Sequence, residues 1–189
     1  MMVFVAASLA SSVLAQNAGL NDEEVQAAIN AAKHQKFASM FVEAKGRFAA
    51  YYSVLLQGPV GRTMDLAREG FESYKPLQPW DVRPEVRAHE VTFAVIKHGG
   101  NQTIKNVVVL PPGTTSPDAA IQPLRRSFLQ VAEKRPRTWR PRLGNDVGAT
   151  RFYRFAEDAL PLGDFQILIV TDYGEERYSV KAQERDLIR

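Results

Sequence analysis

Residues 133–142 read EKRPRTWRPR, with Lys134, Arg135, Arg137, Arg140 and Arg142 spaced around Trp139 and two prolines. A guanidinium is a planar fork of donors that fits phosphate or carboxylate, and an indole ring offers a face for stacking. That mixture is what a site for a polyanion requires, so Arg135, Arg137, Trp139, Arg140 and Arg142 are the candidate anion-binding set. Arg125, Arg126, Arg151 and Arg154 raise the number of basic residues between positions 125 and 154 to nine. The competing reading is a solvated loop, since Pro136 and Pro141 lack backbone donors and resist strand pairing. Either way the segment is expected to be irregular, with the Trp139 ring on apolar surface and the arginines in water.

A second candidate is GPVGR at residues 58–62. A glycine-bearing turn between a strand and a helix exposes N–H groups that can hold an anion, and Arg62 could assist it. The stretch lacks the Lys-Ser/Thr pair and the length of a phosphate-binding P-loop, so a sharp turn explains the glycines equally well.

Catalytic patterns are missing. The three histidines, His34, His89 and His98, show no metal-ligand spacing, and His89 and Glu90 would face opposite ways on a strand. Neither a G-x-S-x-G elbow nor Ser-x-x-Lys occurs, and the HGG at 98–100 stands without a nucleophile. G-x-G-x-x-G is also absent, so no catalytic residue, metal or cofactor is expected. Zero cysteines remove disulfides, thiolate metal sites and thiol nucleophiles together.

Of the 189 residues, 45% are hydrophobic and 24% charged, the balance of a chain that folds around a core. A net charge of +3 is too small to mark a nucleic-acid binder by itself. MMVFVAASLASSVLAQ is uncharged and apolar, and Val13 and Ala15 are small residues placed as before a signal-peptidase cut. No Lys or Arg precedes it. The run falls short of a membrane span, so residues 1–16 are expected to be a signal peptide and the mature chain to have no transmembrane segment.

The elements that must position these residues follow from periodicity. Asn21 caps an acidic first turn, and Val25, Ala28, Ile29 and Ala32 form one helical stripe fading between His34 and Gly46. FAAYYSVLLQGP reads as a buried strand. VGRTMDLAREGFESYKP reads as a helix with Met64, Ala67, Arg68 and Phe71 on one face. From Glu85 onward strands dominate. One hairpin is expected around His98–Asn101, and another over 164–182 whose first strand is apolar on both faces and therefore central. Residues 120–134 fit either a helix or two short strands broken at Arg125-Arg126.

The sequence therefore predicts an α+β chain. Residues 17–84 would hold a helix and a strand–turn–helix unit, and residues 85–189 a mainly antiparallel domain, with an immunoglobulin-like β-sandwich as the leading arrangement. The expected function is that of an exported, non-catalytic binding or structural module of the envelope. Its partner would be an anionic polymer, an envelope component or an acidic protein. The alternatives are an envelope hydrolase with a carboxylate site assembled by the fold, and a cytoplasmic nucleic-acid binder if residues 1–16 are retained.

Overall fold

The computed structural model describes residues 19–35, 41–46, 52–98, 101–129, 150–186 and 188. Helix α1 spans Asp22–Ala32 and opens with a full capping box: Asn21 Oδ1 accepts from the Glu24 amide at 2.9 Å, and Glu24 Oε2 accepts from the Asn21 amide at 2.8 Å. Val25, Ala28, Ile29 and Ala32 are all buried, as their spacing predicts. The helix stops at Ala32, and Val42–Gly46 is already strand β1.

Strand β2 (Tyr52–Gln57) runs into Gly58, which starts helix α2 (Pro59–Glu72) with proline in its first turn. A single helical turn, α3 (Pro84–Arg87), precedes β3 (Glu90–Lys97). The remaining strands are β4 (Ile104–Leu110), β5 (Arg125–Leu129), β6 (Thr150–Ala156), β7 (Phe165–Thr171) and β8 (Glu175–Val180), followed by the short helix α4 (Ala182–Asp186).

All eight strands join one antiparallel sheet in the order β4-β7-β8-β1-β2-β3-β6-β5. Strand β1 turns the corner: Val42 to Ala44 pair with β2, whereas Lys45 and Gly46 pair with β8. The sheet curls, and past β4 the chain returns through Ile121, whose backbone exchanges both hydrogen bonds with Val109 before entering β5. The two ends of the sheet are thus brought together. The mixed, mainly antiparallel character expected from the sequence is present. The strands form one curled sheet, because β1 belongs to both halves and makes them continuous.

The concave face carries the main core, including Val54, Leu56, Phe93, Val107, Phe155, Ile167 and Val180. Each such side chain contributes on the order of 1.5–3 kcal/mol when fully buried. Helices α1 and α2 cover part of the convex face, where Leu55, Ala94 and Ile96 meet Val25, Ile29 and Met64. Strand β3 is therefore apolar on both sides and central, with β2 and β6 as neighbours. That arrangement overrides the hairpin expected at His98–Asn101: β3 and β4 are consecutive in the chain but do not pair. The turn chemistry is local, whereas β3 gains seven register partners from β6 and the Phe93–Phe155 ring contact at 4.4 Å. The hairpin expected at 164–182 does form, and β7 lies between β4 and β8. In the ambiguous stretch, residues 125–129 are strand, and Arg125-Arg126 lies within it rather than at a break.

The C-terminal segment is part of the core. Ile188 packs into the concave cluster, and its carbonyl oxygen lies over Gly58, where an added Cβ would come within 1.3 Å of it. Only glycine permits that approach. Gly58→Ala is expected to displace the tail and to cost about 2 kcal/mol or more in urea unfolding, with faster proteolysis near the C-terminus. An unchanged midpoint and an intact tail would count against this packing role.

Candidate functional site

Strands β5 and β6 form an antiparallel hairpin whose last register pair is Leu129 with Thr150. The connection between them, residues 130–149, therefore leaves and rejoins the sheet at one point. It holds five basic and two acidic residues, so the formal charge of +3 is carried there and the other residues balance, nineteen basic against nineteen acidic. Arg135, Arg137, Trp139, Arg140 and Arg142 all belong to this connection and lie outside the described residues.

The hairpin itself carries four arginines, two on each face. On the convex face Arg125 and Arg154 are register partners, and both bind the carboxylate of Glu90, Arg154 at 3.4 Å. Glu90 is only 12% exposed. Burial pushes its carboxyl upward, but the hydrogen bond and charge of Arg125 and the charge of Arg154 outweigh this and hold it below the ordinary value. On the other face Arg126 and Arg151 reach across to β4. Arg126 donates to Asn106 Oδ1 at 2.8 Å, and Arg151 donates to the carbonyl of Ile104. Arg126 is exposed, and its hydrogen-bond partner among the described residues is a neutral amide.

Arg62 is a helix residue whose guanidinium is turned inward. It lies buried in α2, and its guanidinium donates to the carbonyl oxygens of Gln57, Val86, Ala88 and Glu90. Burial, with repulsion from Arg154, brings its pKa down to about 10 against the opposing attraction of Glu90, so it remains charged at neutral pH. Where the sequence suggests a sharp turn before the helix, Gly58 caps α2 and residues 59–62 are its first turn, so Arg62 is a helix residue acting as a structural donor. The helix that it belongs to begins beneath the chain tail, not at an open surface.

His89 pairs with Glu157 at 3.2 Å, and His98 approaches Ser53 Oγ at 2.7 Å, while His34 stands at the exposed end of α1. The three do not converge. Among the described residues no group of three metal-ligating side chains comes together. Glu90 is the residue that sequence reasoning missed, because its partners Arg125 and Arg154 are 35 and 64 positions away. The one available signal was a carboxylate opening a strand that is mostly apolar.

No protein-family model matches the chain, and comparisons with curated proteins and with solved structures gave no match.

Two expectations follow from this geometry. Arg62→Met should lower unfolding stability by about 3 kcal/mol, since four carbonyl oxygens lose a donor at once. Arg62→Lys should lower it less. Glu90 binds its proton more weakly folded than unfolded, so it stabilises above the ordinary value of 4.5, and this contribution is lost as pH falls through the lowered value. Glu90→Gln should therefore be less stable than wild type at neutral pH. The gap should narrow from about pH 5 to about pH 3 in denaturant titrations. A gap independent of pH would mean that the carboxylate charge plays no part.

Proposed function

We propose that this chain is an exported, non-catalytic binding or structural module of the envelope, and that it engages an anionic polymer through the connection between β5 and β6. The observation that supports this reading is the separation of charge. The net positive charge sits in one connection, while the rest of the chain is balanced and pairs Glu90 with the convex-face arginines. Exposed Arg126, bonded to a neutral amide, lies on the same hairpin and extends the basic surface. The apolar N-terminal run ending at Ala15 supports export. No helix among the described residues is long and apolar enough to cross a membrane.

The triple variant Arg135→Ala, Arg137→Ala, Arg140→Ala should elute from immobilised heparin at lower salt than wild type. Adding Arg126→Ala should lower it further, because each removed cation reduces the electrostatic part of binding. Unfolding stability should change by less than about 1 kcal/mol per removed exposed charge. Elution at the same salt would refute the proposed site. Parallel titrations with an acidic polysaccharide, anionic-lipid vesicles and single-stranded oligonucleotide would rank the polymers. Tightest binding to the oligonucleotide would favour the cytoplasmic alternative. Mass spectrometry of the protein from its native cell tests export, and an intact Met1 in the mature chain would overturn it.

A further inference from the structure

On the convex face, away from α1 and α2, a cleft of about 350 Å³ lies between the turn after β4 and the outward residues of β7 and β8. That size is at the lower end of what small-molecule sites occupy. One wall is the turn Pro111–Thr114, closed by the Thr114 amide donating to the Pro111 carbonyl at 3.1 Å, with Gly113 at φ 76°. The opposite wall is fixed by Asp164. One of its oxygens holds Lys181 Nζ at 2.7 Å and the other accepts from the Ala182 amide at 2.9 Å. The floor is a cross-strand row, Leu110 with Gln166 and Gln166 with Ser179, beside Arg177.

Thr114, Thr115, Gln166 and Ser179 line this cleft, and their side chains make no hydrogen bond among the described residues. Arg177 has one ion partner there, Glu175, at 3.6 Å on the same exposed face of β8, which leaves most of its donor fork open. The geometry points to a binding site for a sugar acid, meaning a saccharide unit that bears a carboxylate. Three hydroxyls and an amide both donate and accept, which matches a ring of hydroxyls. The Arg177 fork matches a carboxylate, and Pro111 and Pro112 offer apolar surface to the C–H face of a sugar.

Other ligand classes fit less well. An extended peptide needs a free strand edge, but β7 and β8 are each paired on both sides. A planar aromatic ligand needs an open ring to stack on, and the one aromatic lining residue, Phe165, is 2% exposed. A phosphate carries up to two negative charges, and with Lys181 already engaged by Asp164 the Arg177 fork balances one of them. A singly charged acid with hydroxyls remains. This inference stands on the cleft alone and is independent of the basic connection.

The test is calorimetric or ligand-observed NMR titration of the full chain with glucuronate, glucose and acetate as separate probes. Glucuronate should bind with a dissociation constant on the order of 1 mM, as expected for an open site of this size, and more tightly than either of the others. Arg177→Gln should weaken glucuronate about tenfold, to the level of glucose, while Gln166→Ala with Ser179→Ala should weaken both sugars. Arg135→Ala, Arg137→Ala, Arg140→Ala should leave all three titrations unchanged, which separates this site from the one proposed above. These side chains are exposed, so the variants should unfold like wild type. The inference is overturned if glucuronate binds no better than acetate, or if Arg177→Gln binds it as wild type does.

Discussion

The chain leaves the sheet at Gln57 and re-enters it at Glu90, and Arg62 ties those two points together. Its guanidinium bonds the carbonyls of both residues, and between them those of Val86 and Ala88. Helix α2, the turn α3 and the start of β3 are therefore fixed against one another by a single side chain. A buried guanidinium is costly unless its donors are filled. Here backbone oxygens fill them, and Glu90 supplies the opposing charge nearby. The same carboxylate binds Arg125 and Arg154, so the anchoring of the helices and the docking of β5 on β6 share one counter-ion.

That sharing affects what the hairpin can offer a partner. The convex-face arginines are committed to Glu90, whereas Arg126 and Arg151 are spent on the seam where the sheet's ends approach. There Ile121 pairs with Val109, Arg151 satisfies the Ile104 carbonyl, and the Asn106 side chain accepts from both Arg126 and the Val107 amide. An unpaired strand edge is an invitation to add another strand. The edge of β4 is closed by the Ile121 backbone and by these side chains instead. Arg126 is the exception in this group, because its partner is uncharged and its surface is open. An incoming anion could recruit it by exchanging one weak bond for a charge-assisted one.

Local signals were readable and long-range ones were not. The Asn21 cap, the α1 stripe, helix α2 beginning within GPVGR and the β7–β8 hairpin all depend on residues a few positions apart, where periodicity and turn chemistry act. The pairing of β3 with β6 rather than β4 depends on burying two apolar faces across about sixty residues, and no window along the chain contains that comparison. The candidate site divided the same way. A run of arginines between prolines is visible as a run, but the burial of Arg62 is not. A charged residue after a glycine turn looks exposed until the elements that supply its acceptors have been placed. The cleft was invisible for the same reason, since Thr114, Gln166 and Ser179 meet only through the register of three strands.

The distribution of charge links these observations. Every described strand is held by backbone pairing and apolar burial, and the ionic contacts of the body are balanced, so the fold does not need the net charge in residues 130–149. Charge of one sign placed on a connection between paired strands costs the sheet little, because the two ends are already joined by the Leu129–Thr150 register. It would be costly in the core or at the seam, where Arg126 and Arg151 already face β4. The chain thus keeps its surplus charge at the one place where it neither strains the closure of the sheet nor competes with Arg62 for Glu90. A polymer bound there would meet the cations without disturbing the network that holds the helices to the sheet.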